Sequence, residues 1–254
     1  MKLLKAMAIA FSIYSKIPMP QFEWKEEDME YMMCFFPWIG GVIGMFFFGW
    51  AVLCEKFAVG NVCYALIGAA IPLMISGGFH VDGYMDTMDA FHSYQSREKK
   101  LEILKDSHIG AFAAIMLALY YMIDIAAISE IHTQKAVSAL AAVFFLARCF
   151  SGIAVMTLQP AKKEGLLYTF ASSAQKVRVK AALYFQAALC VVLMLIVSGW
   201  YGVAAIGAAL LSFFYFKKKS YKELGGITGD TAGFFVTVCE AAAAAAVAVA
   251  GYFL

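Results

Sequence analysis

Seven apolar stretches, near residues 31–54, 61–79, 109–128, 136–158, 181–198, 200–216 and 232–254, dominate the sequence. Each approaches or exceeds the roughly 20 helical residues that cross a hydrocarbon core. Only helices and closed barrels satisfy the backbone's polar groups in lipid. The apolar character here is continuous rather than alternating, so helices are favoured over barrel strands. Composition agrees: 63% of the 254 residues are hydrophobic and 15% are charged, whereas a soluble domain is about half apolar and a quarter charged. The expected fold is therefore all-α, a polytopic transmembrane bundle of about seven spans. It forms one integral membrane domain over residues 1–254, with 1–30 as its cytoplasmic or interfacial N-terminal segment.

The connecting segments orient that bundle. If the spans alternate, segments 1–30, 80–108, 159–180 and 217–231 share one side and carry 17 of the 20 basic residues. Lys56 and Lys135 fall on the other side, and Arg148 lies within a span. Basic loops stay cytoplasmic, which places the N-terminus inside. Residues 1–20 lack a small-residue cleavage motif and read as retained. The six cysteines form no C-x-x-C pair and read as packing residues. Gly40-x-x-x-Gly44 reads as a close helix–helix contact. A net charge of +2 gives no reason to expect a nucleic-acid partner. The run Lys176-Val177-Arg178-Val179-Lys180 suits anionic lipid head groups.

Chemistry concentrates in three clusters on the basic side. The first is Gly77-Gly78-Phe79-His80-Val81-Asp82-Gly83-Tyr84-Met85-Asp86-Thr87-Met88-Asp89. Its carboxylates recur at i, i+4 and i+7, so a helix would place all three on one stripe. Like charges gathered at a membrane boundary call for protons or a cation. A hard divalent ion with oxygen ligands fits best, and Mg²⁺ typically combines one or two carboxylates with phosphate oxygens. His80, two residues before Asp82, would point elsewhere on such a helix and is a second-sphere or substrate candidate. The second cluster is Gly225-Gly226-Ile227-Thr228-Gly229-Asp230-Thr231, where glycines leave backbone amides free to face an anion. The third is Lys105-Asp106-Ser107-His108, in which Lys105 can hold a phosphate as a point charge. Arg148 needs a partner or an aqueous cavity; the expectation is that it faces the carboxylates or a substrate phosphate.

These clusters, with Ile17-Pro18-Met19-Pro20, Phe35-Phe36-Pro37-Trp38-Ile39-Gly40, Glu102-Ile103-Leu104-Lys105-Asp106-Ser107 and Leu146-Ala147-Arg148, run nearly end to end. Through them the chain resembles the adenosylcobinamide-GDP ribazoletransferase (cobalamin synthase) family. Two positions depart from the family pattern: Ala90 follows Asp89 where a glycine is usual, and His108 stands where an arginine is usual. The resemblance implies a Mg²⁺-dependent enzyme of the inner membrane, with its active site facing the cytoplasm. Its partners would be adenosylcobinamide-GDP, α-ribazole or its 5′-phosphate, and the lipid bilayer, with a homo-oligomer as a further option. The products would be adenosylcobalamin, or its 5′-phosphate, and GMP. On that reading Asp82, Asp86, Asp89 and Asp230 hold one or two Mg²⁺ ions. Asp82 and Asp89 are catalytic, Asp89 taking the hydroxyl proton. His80, Lys105, Asp106, Arg148, Thr228, Gly229 and Thr231 bind substrate. The alternatives are a lipid enzyme like the CDP-alcohol phosphotransferases and a small cation-coupled transporter. Against the first, Asp86-Thr87 stands where an Ala-Arg pair would be; against the second, no inverted repeat is seen.

Overall fold

The computed structural model describes residues 2–162, 165–172 and 175–253. Lys163, counted among the basic residues of segment 159–180, lies outside the described residues, as do Met1 and Leu254 at the ends of the predicted domain. Among the described residues there is no β-strand; one parallel bridge joins Pro160 to Ile227.

The chain opens with α1 (Lys2–Tyr14) and two 3₁₀ turns, Glu26–Met29 and Met32–Cys34. Then follow α2 (Phe36–Lys56), α3 (Asn61–Ser76), α4 (Phe79–His92), α5 (Arg97–Ile103) and α6 (Ala111–Ile128). The remainder comprises α7 (Gln134–Thr157), α8 (Leu166–Ala171), α9 (Lys176–Ser198), α10 (Trp200–Leu224) and α11 (Gly229–Gly251). Helices α2, α6, α7, α9, α10 and α11 are each long and apolar enough to cross a membrane, and α3 with α4 forms a bent pair that makes up to seven spans. The chain is an integral membrane protein of helical architecture.

Two predicted spans prove longer than their apolar cores. The stretches 181–198 and 200–216 become helices of 23 and 25 residues. Both extend through basic residues, Lys176 to Lys180 and Lys217 to Lys222. Hydropathy ends where the charges begin, but backbone hydrogen bonding does not. Long basic side chains can lay their stems along apolar surface and lift their heads into water.

Helices α7 and α11 form the centre. In the most apolar window of α7, 78% of residues are buried inside the bundle, against 22% for α6. Helix α7 packs on α2, α9, α10 and α11, while α11 packs on α4, α6, α7 and α10. The α2–α7 contact uses the predicted small-residue motif. A methyl at Gly40 or Gly44 would collide with the backbone carbonyls of Phe144 and Ala141. Close backbone approach of this kind takes the place of hydrophobic driving force between helices in lipid.

The second predicted run ends at Ser76, where the chain turns through 96° into α4. Gly77 and Gly78 make that turn with φ of +67° and +85°. Two successive left-handed residues are cheap only for glycine. The turn lays α4 across the end of the bundle instead of letting α3 run on, and this positions the aspartate stripe.

Candidate active site

Helix α4 is two-faced. Tyr84, Thr87, Met88, Ala90 and Phe91 are buried, and Tyr84 stacks on Phe234 of α11 with ring centroids 5.9 Å apart. The Tyr84 hydroxyl donates to the Met116 carbonyl of α6 at 3.1 Å. Burial of this apolar face turns the aspartates outward. The α4–α11 crossing is exceptionally close at its glycines. A Cβ on Gly83 would sit 2.8 Å from the Asp230 carbonyl oxygen and 3.0 Å from its Cα. A Cβ on Gly233 would sit 3.1 Å from the His80 carbonyl oxygen. These contacts carry Asp82 and Asp230, 148 positions apart in the sequence, into the wall of one cavity of about 570 Å³.

The Gly-Gly-Ile-Thr-Gly-Asp-Thr segment is a helix start held in place. Gly225 ends α10 in the left-handed region. Ile227 then bonds in both directions with the segment after α7, its N–H donating to the Gln159 carbonyl at 2.9 Å and its carbonyl accepting from Ala161 N–H at 2.8 Å. Thr228 caps α11: its hydroxyl accepts from Thr231 N–H at 3.1 Å, and Thr231 Oγ1 accepts from Thr228 N–H at 2.8 Å. This reciprocal cap fixes the first turn of α11. Thr228, Gly229 and Asp230 line the cavity, while Thr231 is fully buried beneath it as a capping group. The N-termini of α4 and α11 thus both open toward the same space, an arrangement suited to anions.

Two cations face the carboxylates. Lys105 and Lys162 both line the cavity. The Lys162 ammonium donates to the Leu101 carbonyl at 2.7 Å and lies within electrostatic range of Asp230. In the sequence Lys162 is an ordinary member of a basic segment. The Pro160–Ile227 bridge, which no local pattern announces, brings it here. Phe36 also lines the cavity, and its segment had already stood out among the residues that carry the resemblance.

Asp86 is half-buried and does not line the cavity, with the charges of Asp82, Asp230 and Asp89 near it. Asp89 departs from the base and metal ligand expected of it. Its two carboxylate oxygens accept the backbone N–H groups of Gly110 at 2.7 Å and Ala113 at 2.9 Å, so Asp89 caps α6. The reason is geometric: the last turn of α4 ends beside the start of α6, and the third aspartate of the stripe meets amides rather than the cavity.

Arg148 departs further. It is 1% exposed, donates to Glu240 Oε1 at 2.7 Å and to the Phe144 carbonyl at 2.8 Å, and does not line the cavity. The expectation that it faces the aspartates or a substrate phosphate is replaced by an ion pair between the two central helices. Asp106 also turns away. Exposed on its loop, it accepts from the His108 backbone N–H at 3.1 Å, and its carboxylate lies 2.6 Å from His108 Nδ1. The side-chain hydrogen bond between them holds the Asp106 carboxyl below its ordinary pKa and raises that of His108. His80 lies in the cavity wall at 5% exposure, and neither ring nitrogen has a hydrogen-bond partner.

Among the described residues, no three of His, Cys, Asp and Glu converge closely enough to hold a metal ion alone. The donors present are nonetheless the hard carboxylate oxygens that Mg²⁺ takes. Magnesium needs only one or two of them when phosphate oxygens and water complete its shell.

A family model described as cobalamin-5-phosphate synthase matches residues 6–248. An adenosylcobinamide-GDP ribazoletransferase of Lachnoclostridium phytofermentans is 44% identical over 250 residues, covering 98% of this chain and 95% of the relative. Relatives of the same description from Clostridium botulinum and Azorhizobium caulinodans are 31% and 29% identical. The former alignment covers 94% of both chains, the latter 95% of this chain and 94% of the relative. No solved structure matches. With a family model spanning nearly its whole length and relatives aligned from end to end, the chain belongs to the cobalamin-5-phosphate synthase family.

Proposed function

We propose that this protein joins adenosylcobinamide-GDP to α-ribazole, or to its 5′-phosphate, with release of GMP, and that it does so with Mg²⁺ at the inner membrane from the cytoplasmic side. One observation carries the reading: Asp82, Asp230, Lys105 and Lys162 line a single cavity at the N-termini of α4 and α11. That set pairs hard-metal ligands with phosphate-binding cations, as transfer from a pyrophosphate requires. The segregation of basic residues supports the cytoplasmic orientation.

The ribazole 3′-hydroxyl attacks the phosphorus on the cobinamide side, the bond to the GMP oxygen breaks, and GMP leaves with that oxygen. In this reading Asp82 receives the hydroxyl proton; its exposure in the cavity supports that role. Lys105 and Lys162 hold the pyrophosphate oxygens as the negative charge shifts toward GMP. Asp82, Asp86 and Asp230 would hold Mg²⁺, which when bound neutralises phosphate charge. Asp89 sets the start of α6 by accepting its first amides.

The test is GMP release by inside-out membrane vesicles given adenosylcobinamide-GDP, α-ribazole and Mg²⁺. Turnover that stops on chelation with EDTA and resumes with added Mg²⁺ is expected. Turnover with a CDP-activated alcohol instead, or activity only after the vesicles are permeabilised, would remove the substrate or the orientation respectively.

A further inference from the structure

The cavity has a second character away from its charges. Tyr14 of α1, Phe36 of α2, and Phe79 and His80 of α4 form one aromatic cluster in its wall. The His80 ring lies 6.2 Å from Tyr14 and within 11° of parallel to it, with Phe36 and Phe79 at 5.6 Å and 5.7 Å. Tyr14 also meets Phe36 at 4.7 Å and Phe79 edge-on at 4.9 Å. Three separate segments of the chain thus meet around an imidazole whose two nitrogens are buried and unpaired. Buried polar side chains are nearly always satisfied, so unpaired ring nitrogens beside a cavity point to a ligand that completes at least one of them.

The chemistry of the cluster selects among the planar bases in the proposed reaction. A guanine edge presents two kinds of N–H donor and two acceptors, and leaving them unpaired in an aromatic pocket would be costly. A glycosylated benzimidazole has two apolar faces, no N–H, and one ring nitrogen with a lone pair. An aromatic cluster around one imidazole, its rings tilted or edge-on except for the near-parallel Tyr14–His80 pair, matches the second and not the first. We infer that the Tyr14–Phe36–Phe79–His80 cluster is the subsite for the benzimidazole of the ribazole acceptor, with the His80 N–H donating to its free ring nitrogen. This rests on the acceptor proposed above. It makes His80 a residue that determines acceptor specificity, separate from the phosphate-handling groups around Asp82 and Asp230.

The test compares α-ribazole with the analogue in which the free ring nitrogen is replaced by C–H, on the wild-type protein and on His80→Phe, which keeps the aromatic shape. Equilibrium binding of each nucleoside and KM in the GMP-release assay are both read. On the wild type the analogue is expected to bind about tenfold more weakly, as for loss of one hydrogen bond whose buried donor is left unpaired. On His80→Phe, α-ribazole should weaken by a similar factor, the two nucleosides should bind alike, and KM for adenosylcobinamide-GDP should stay unchanged. Equal binding of nucleoside and analogue to the wild type would overturn the inference, as would a His80→Phe effect confined to adenosylcobinamide-GDP. If His80→Phe does not fold, equal binding of nucleoside and analogue to the wild type still overturns the inference. Should the wild type bind α-ribazole over the analogue yet release no GMP, the activity falls and the subsite stands.

Discussion

Asp82 and Asp89 belong to one stripe in the sequence yet hold different positions in the structure, so their substitutions should separate. Asp82 is exposed in the cavity wall and makes no contact that secures a helix end. Asp82→Asn should lower turnover by about 10²–10⁴-fold, as for loss of a positioned acid–base group, while membrane insertion and thermal stability stay close to wild type. Asp89→Ala removes the acceptor for two α6 amides. It should cost about 1 kcal/mol or somewhat more of stability, as for loss of a helix cap, with a smaller loss of turnover. Turnover in detergent, read beside a thermal unfolding curve, distinguishes the two. An Asp89→Ala protein of normal stability without activity would return Asp89 to the reaction. The difference between these aspartates could not be read from spacing. The stripe predicts a shared direction, but the neighbour each carboxylate meets depends on where α6 begins.

At the scale of elements, the site depends on how tightly α4 crosses α11. A single methyl on Gly83 would press against the Asp230 backbone at 2.8–3.0 Å, where neither helix has a flexible side chain to yield. Gly83→Ala should push α4 outward, separate Asp82 from Asp230 and lower turnover at least tenfold, as misplacement of catalytic groups by about an ångström can cost 10²-fold. Gly233→Ala, whose methyl would stand 3.1 Å from the nearest atom, should be milder. Helical content by circular dichroism should be unchanged in both. Equal activity of Gly83→Ala and wild type would mean that the crossing does not set the site. Much at this scale was legible. The apolar runs located the spans, and the i, i+4, i+7 spacing of the aspartates gave the shared stripe on α4. The bend of α3 into α4 and the arrival of Lys162 were not legible. The first is a matter of direction that hydropathy does not encode, and the second follows from a backbone bridge between segments 67 residues apart.

At the scale of the whole molecule, the buried ion pair between α7 and α11 offers the sharpest test of what holds the bundle together. Arg148 and Glu240 lie 92 positions apart and meet at 2.7 Å in the centre of the fold. Arg148 stood out in the sequence as a charge inside an apolar run, but nothing there indicated that Glu240 was its partner. Asp124 lines the same small internal space as Glu240, so removing the guanidinium leaves two carboxylates facing one another in an apolar interior. Arg148→Met should therefore destabilise the protein by about 3–5 kcal/mol, the cost of leaving a buried charge without its partner. Replacing both members, as Arg148→Met with Glu240→Leu, removes that cost, and most of the stability should return. Turnover then discriminates between two roles. If Arg148 serves only to join the central helices, the double variant should regain activity together with stability. If the guanidinium touches a substrate phosphate, the double variant should unfold normally and remain inactive. Because Arg148 is absent from the cavity wall and committed to Glu240 and the Phe144 carbonyl, the expected outcome is joint recovery, measured as the unfolding temperature and GMP release of the same purified samples.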